Sequence, residues 1–361
     1  MKVLLKFPWI FVDSPYYRSL IDYPPKNVHF IGVPKKKLKV IISPRVFAFF
    51  NFIKKHLRDV VTLLKIPNIT LTSSNPSVVH CAHCLLLNKL PWVVDIEHYW
   101  SFSVSSKISY STRGRFIIEK LLRREHCKKI LPWTYAAEGT IRDVIKNNQV
   151  LNKIEVVYPA VPILKIRRKR PKKVSLLFIG RYFYPKGGLF VLEVFKRLKQ
   201  KYDIDCIFIS LTIPKQLKLK YEEFVTIYDS VSNEILFQQI YPSSDIFVYP
   251  GFSDTFGFSL LEVMSFSIPI VTVDAFARKE IVEDGKNGFV IKKPSTFNIY
   301  NIGRKEERLI EEICKKASLL IENSSLRKRM GRYGKRLVEK GKFSIKRRNK
   351  EMRRIYEEAL K

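Results

Sequence analysis

The run Ile246-Phe-Val-Tyr-Pro-Gly-Phe-Ser-Asp-Thr-Phe-Gly-Phe-Ser-Leu-Leu-Glu-Val-Met-Ser-Phe-Ser-Ile-Pro-Ile-Val-Thr-Val273 decides the fold. A short apolar run bounded by turn residues reads as a buried strand, and a longer one as a helix. The stretch is therefore strand Ile246–Tyr249, helix Phe256–Phe266 and strand Ile270–Val273, a unit that builds parallel sheet. Apolar side chains cover almost every angle of the helix, yet it carries one acid, Glu262. A buried, unpaired carboxylate costs several kcal/mol, so Glu262 requires a partner, either within the protein or among the hydroxyls of a ligand. Eight residues upstream stands Asp254, which either caps the helix or joins Glu262 in a ligand site.

Outward from this unit the same alternation recurs. Upstream lie the strand Ser175–Ile179, helix Gly187–Lys201, strands Asp205–Ser210 and Glu223–Ile227, and helix Ser232–Ile240; downstream lies the strand Gly288–Ile291. In the first half, strands are expected at Val3–Phe7, Val28–Ile31, Leu38–Ile42, Ser77–His80 and Trp92–Ile96, with helices at Phe47–Leu64 and Phe116–Lys129. Between the halves, seven of the nine residues 165–173 are basic and one is proline, a linker composition. The expected organisation is α/β. It has an N-terminal Rossmann-like domain (1–164), a basic linker (165–173) and a second Rossmann-like domain (174–342), facing a central cleft. Residues 343–361 form a helix crossing back to the first domain. Ligands of such sheets sit beyond the carboxyl ends of the strands.

The 361 residues suit two domains, and no apolar run reaches the ~18 residues that span a bilayer. The N-terminus reads as a strand and turn, not a signal peptide, and the five cysteines are irregularly spaced. A soluble, cytoplasmic chain is the expectation. The net charge is +33, and the first 164 residues alone hold 25 basic and 10 acidic residues. Such a field attracts polyanions: nucleic acid, an anionic membrane surface or phosphorylated substrates. The stretch from Phe47 to Arg58 mixes aromatics and cations; core packing with a solvated basic end and membrane-surface binding are both compatible with it.

Two further segments can carry chemistry. After the strand Ser175–Ile179 comes Gly180-Arg-Tyr-Phe-Tyr-Pro-Lys-Gly-Gly188, where the backbone at a helix start, Arg181 and Lys186 suit a diphosphate, or form an ordinary turn with solvated charges. After Ile270–Val273 comes Asp274-Ala-Phe-Ala-Arg-Lys-Glu-Ile-Val-Glu-Asp-Gly-Lys-Asn-Gly288. His80-Cys-Ala-His-Cys84 has metal-ligand residue types but no second Cys/His cluster, and it falls where a strand-to-helix turn is expected. Asp203-Ile-Asp205 precedes its strand, on the wrong edge of the sheet for a ligand site.

Taken in order, Gly-Arg-x4-Lys-Gly, Ser244-Asp-Ile-Phe-Val-Tyr-Pro250, Asp254-x7-Glu262 enclosing Phe256-Gly257, Pro269-Ile-Val271 and Glu280-Ile-Val-x-Asp-Gly-x-Asn-Gly-Phe289 resemble the donor domain of retaining GT-B glycosyltransferases, family four. Weaker likeness extends to Trp92-Val-Val-Asp-Ile-Glu-His98, Val156-Val-Tyr-Pro-Ala-Val161 and Phe343–Leu360. The resemblance implies transfer of a hexose from a nucleotide-diphosphate sugar, GDP- or UDP-linked, to a lipid-linked, glycan or other acceptor, with retention of configuration. It assigns Arg181 and Lys186 to the diphosphate, Asp254 to the transferred sugar and His98 to its acceptor side. Glu262 would bind the ribose, and Gly180, Thr255, Phe256, Gly257 and Glu280 would complete the donor contacts. No metal or other cofactor is implied, because the two cations neutralise the diphosphate. A peripheral position on the cytoplasmic membrane face would fit the basicity.

Several positions depart from that pattern. Asp254 stands where the family usually has Glu, and Ser267-Ile268 replace the usual glycine before Pro269. Ala275 and Ala277 replace glycines, and Phe7-Pro-Trp-Ile-Phe-Val-Asp-Ser14 replaces a glycine pair after the first strand. Two alternatives compete. A non-hydrolysing sugar-nucleotide epimerase needs additional acids and histidines, and only six His occur, with His98 alone well placed. A nucleic-acid-binding protein predicts aromatics interleaved with cations on one surface, whereas this charge is diffuse.

Overall fold

In the computed structural model, residues 1–8, 14–33, 58–164, 166, 168 and 172–361 are described. The expected strand Leu38–Ile42, the aromatic and basic stretch before Arg58 and much of the linker lie outside them. The chain divides into two units, Met1–Pro159 with Lys346–Lys361, and Ala160–Ile345.

The first unit holds a parallel five-stranded sheet among its described residues. Its order is His29–Ile31, Lys2–Lys6, Val78–Ala82, Trp92–Ile96, Cys127–Pro132. Neighbouring residues of each strand feed opposite faces. Leu4, Val79 and Val94 pack with Ile118, Leu121 and Leu122 of the helix Thr112–Arg123, while Val3, Val78 and Val93 pack with Met352, Ile355 and Tyr356 of the helix Ile345–Ala359. Burial on both faces explains why these strands read as unbroken apolar runs. The returning helix is pinned by Arg348, 1% exposed, which donates to Ser19 Oγ at 2.8 Å and to the Tyr23 carbonyl at 2.9 Å.

The second unit holds a six-stranded parallel sheet. Its order is Thr226–Tyr228, Ile204–Ile209, Val174–Ile179, Ile246–Tyr249, Ile270–Val273, Gly288–Ile291. The direction of winding reverses between Val174–Ile179 and Ile246–Tyr249, which pair through Ile246 with Leu176 and Phe247 with Leu177. The loops leaving these two strands diverge from a shared edge, the place where doubly wound sheets open a crevice. Both units are Rossmann-like and doubly wound.

Some expectations need correction. The helix expected over Phe116–Lys129 runs Thr112–Arg123, with Ser111 Oγ capping Gly114 N at 3.0 Å, and the chain then enters the strand Cys127–Pro132. Lys128 and Lys129 suggest a solvated helix face, but pairing with Trp92–Ile96 overrides that local signal. The strand expected at Glu223–Ile227 is Thr226–Tyr228. The segment after His80 is no strand-to-helix turn: Leu85–Leu86 pairs with Ile69–Thr70 as a short parallel ladder. The expected helix Ser232–Ile240 comprises Asn233–Ile235, a wide π turn over Leu236–Ile240 and a further turn Tyr241–Ser243. Within the basic segment, Arg168 is docked on the second unit, donating to the Ser244 carbonyl and to Asp245 Oδ1 at 3.1 Å. No helix among the described residues is long and apolar enough to cross a membrane.

Candidate functional site

At the winding reversal the two diverging loops are stitched together by their backbones. Gly251 N donates to the Lys186 carbonyl at 3.1 Å and Ser253 N to the Pro185 carbonyl at 3.0 Å. This registers the Gly180–Gly188 loop against the Pro250–Gly257 loop and brings Lys186 to Asp254. Lys186 Nζ lies 2.8 Å from Asp254 Oδ1 and also donates to the Ser253 carbonyl at 3.0 Å. Tyr249 Oη donates to Asp254 Oδ2 at 2.6 Å. Asp254 is therefore an ion-pair partner and not the helix cap. The helix Phe258–Ser265 starts after Gly257 with no side-chain cap. Such a terminus presents backbone N–H groups toward the loop and favours an anion there.

The same helix answers the question of the lone acid. Leu260, Leu261, Val263 and Met264 are buried, whereas Phe258, Ser259 and Glu262 are only half-buried and share one side of the helix. Glu262 Oε2 accepts from Tyr241 Oη at 2.6 Å. Tyr241 sits just after the π turn, so the local widening of that helix precedes the residue that meets Glu262. Burial pushes the Glu262 carboxyl above its ordinary range, and the Tyr241 hydrogen bond opposes that shift only in part. A carboxylate held this way is ready to take further hydroxyl donors.

The other predicted donor-site positions fall as follows. Gly180 ends the strand Val174–Ile179, its N–H donating to the Ile209 carbonyl at 2.9 Å. Arg181 is exposed, and its guanidinium makes no hydrogen bond or ion pair among the described residues. Thr255, Phe256 and Gly257 line the turn into the helix, and Phe256 is buried. Glu280 is half-buried in the short helix Arg278–Ile281. Arg278, which the sequence reading passed over, is the second cation of the site. It is 1% exposed, its Nη2 is 3.9 Å from Asp254 Oδ2, and its guanidinium lies over the Tyr249 ring at 5.2 Å. Its signal in the sequence is weak: a single Arg in a charged turn looks solvated.

In the first unit, His98 follows the strand Trp92–Ile96 and opens the turn Tyr99–Phe102. Its Nδ1 accepts from Trp100 N at 3.3 Å, which assigns the ring proton to Nε2. Burial lowers its pKa, favouring that neutral ring. The strand that precedes His98 carries a second polar group. Asp95, fully buried, accepts from Tyr17 Oη at 2.9 and 3.1 Å and from Trp133 Nε1 at 2.9 Å, with His80 Nε2 at 3.3 Å and His83 Nε2 at 3.8 Å. Burial raises the Asp95 pKa, but His80, His83 and Tyr17 outweigh it and hold the carboxyl below its ordinary value. The two histidines of His80-Cys-Ala-His-Cys84 thus face a buried carboxylate, and no group of three His, Cys, Asp or Glu among the described residues is arranged to hold a metal.

Residues 163–337 match the family Glycosyl transferases group 1. An uncharacterized glycosyltransferase of Haemophilus influenzae is 25% identical over 287 residues, covering 77% of this chain and 73% of its own. The capsular polysaccharide biosynthesis glycosyltransferase CapM of Staphylococcus aureus is 26% identical over 192 residues, 51% of this chain and 46% of its own. Among solved structures, S. aureus TarM in complex with fondaparinux, alpha-GlcNAc-glycerol and UDP superposes with a TM-score of 0.56 at 13% identity, covering 77% of this chain and 55% of its own. The chain thus spans about half the length of the last two proteins. With parallel sheets in both units, a switch-point site in the second and a family match across that unit, the chain has the GT-B fold, and its residues 163–337 match the Glycosyl transferases group 1 family.

Proposed function

We propose that the chain is a retaining hexosyltransferase that uses a nucleotide-diphosphate sugar to extend a glycan or lipid-linked acceptor in cell-surface polysaccharide synthesis. The observation that carries the reading is the Lys186–Asp254 ion pair, placed at the winding reversal beside an uncapped helix N-terminus. Lys186 and the exposed Arg181 supply positive charge for the departing diphosphate, and preorganised charge of this kind is the largest single device such chemistry uses. Asp254 addresses hydroxyls of the transferred sugar, and Glu262, steadied by Tyr241, addresses the ribose. The family resemblance assigns His98 to the acceptor side of the sugar, and the leaving phosphate takes the acceptor proton. With Arg181 and Lys186 as the counter-charge, the reading needs no metal.

A uridine nucleotide is the first donor to test, supported by the UDP bound to TarM, with a guanosine nucleotide next. The surface-polysaccharide setting is supported by the likeness to CapM. The net charge of +33 supports attachment to anionic lipid on the cytoplasmic membrane face, and salt-insensitive failure to float with anionic vesicles would remove that part.

The test is a thermal-shift panel with UDP, GDP, ADP, dTDP and CMP, repeated on Lys186→Ala and Glu262→Ala. One nucleotide should stabilise the intact protein and neither variant. A flat response to all five would reject the donor site. With the donor known, the proton NMR coupling of the new anomeric centre decides between retention and inversion.

A further inference from the structure

Asp254 has two cations, and only one of them is free to leave. Lys186 reaches Oδ1 on a flexible stem. Arg278 approaches Oδ2 at 3.9 Å from a buried position, with Nη2 donating to the Gly251 carbonyl at 3.1 Å and Nη1 to the Phe256 carbonyl at 3.5 Å. Room for its guanidinium exists because 251 and 257 are glycines. Their φ values are +56° and +85°, and a Cβ there would lie 2.7 Å from Arg278 Nη2 and 2.9 Å from Nη1, respectively. A planar guanidinium fixed by two carbonyls and a tyrosine ring cannot follow a ligand, whereas an ammonium on four methylenes can.

We propose that Arg278 is a positioning residue: it holds Asp254 as the fixed counter-ion of the Pro250–Gly257 loop, so that Lys186 can exchange Asp254 for the donor's diphosphate. This rests on the donor-site reading above. In the unliganded chain Lys186 compensates Asp254. When a diphosphate arrives, Lys186 Nζ moves to a phosphate oxygen, Asp254 keeps Arg278 and Tyr249 on Oδ2, and Oδ1 is released toward sugar hydroxyls. Without Arg278, Asp254 has Lys186 as its remaining cation and retains it against the ligand. No covalent bond is made or broken in the exchange.

Calorimetric titration of the full chain with inorganic pyrophosphate, and with the nucleotide selected by the panel, tests this. Arg278→Met should weaken both by about tenfold, the scale of losing one close charge interaction. Adding Asp254→Asn to Arg278→Met should restore pyrophosphate binding to the wild-type level, because Lys186 then has no competing anion; a purely architectural role for Arg278 predicts no such rescue. Unchanged affinity in a folded Arg278→Met, or absence of rescue, overturns the proposal and leaves the donor site standing. Should Arg278→Met fail to fold, Asp254→Asn alone decides: pyrophosphate affinity equal to or above wild type supports the exchange, and a weaker one overturns it. A wild-type chain that binds neither pyrophosphate nor any nucleotide overturns both readings together.

Discussion

Tyr241 donates its hydroxyl to Glu262 at 2.6 Å across 21 residues of sequence, and this contact holds the one acid of the helix Phe258–Ser265. Removing the donor while keeping the ring isolates its contribution. Tyr241→Phe should lower stability by about 1 kcal/mol, the scale of one hydrogen bond to a half-buried acceptor. Urea unfolding at neutral pH measures it, and a change within error would show that water replaces the hydroxyl.

The charge on Glu262 has its own pH signature. Its folded-state pKa is raised, so the folded chain binds the proton more tightly than the unfolded chain. Stability therefore falls as pH rises from the ordinary Glu value through the raised one, and the penalty is fully present above it. Glu262→Gln keeps an acceptor for Tyr241 and abolishes that slope. It should leave stability at neutral pH equal to or above wild type while weakening nucleotide binding but not pyrophosphate binding. Paired melting curves at pH 5 and 8, with both ligands, give the answer.

Asp95 behaves in the opposite sense. Its folded-state pKa is lowered, so its contribution is present above the ordinary Asp value and is lost as pH falls through the depressed one. Asp95→Asn should destabilise the chain by roughly 3–5 kcal/mol at neutral pH, because the partners of a buried charge are left uncompensated. The difference from wild type should shrink on acidification, and denaturant midpoints from pH 7 down to pH 3 report it.

Lys186→Ala removes the cation nearest the expected diphosphate. The loss in kcat should be on the order of 10²–10³, comparable to deleting one preorganised group that stabilises transition-state charge. Release of nucleotide diphosphate, followed once a donor is found, measures it. A loss confined to KM would place Lys186 in ground-state binding alone.

Gly257 sits at φ +85°, with space for a Cβ blocked by Arg278 Nη1 and Asp254 Oδ2, each 2.9 Å away. Gly257→Ala combines backbone strain of about 1–3 kcal/mol with displacement of the loop that carries Asp254. Nucleotide affinity should fall with stability. Wild-type affinity in a destabilised variant would separate the loop from the site.

The sequence by itself determined the fold class and most of the second unit. Ile246–Tyr249, Ile270–Val273 and Gly288–Ile291 occur as read, because strands buried on both faces are short apolar runs cut off by Gly, Pro or charge. It also singled out Lys186, as a cation beside glycines after a strand, Glu262, as the one acid in an apolar helix, and Asp254, as the acid eight residues before it. Tertiary structure alone decided what these groups touch. Tyr241, just after a π turn, reaches Glu262, Arg278 comes from the segment that follows the adjacent strand Ile270–Val273, and His80 and His83 meet Asp95 from a neighbouring strand and the turn after it. Lys128 and Lys129 likewise sit in a strand because the adjacent strand pairs with Cys127 and Lys129 on either side of a bulge. Local sequence encodes periodicity and turn chemistry. Partners for a buried charge are chosen by packing between distant segments, and no window along the chain contains both halves of such a pair.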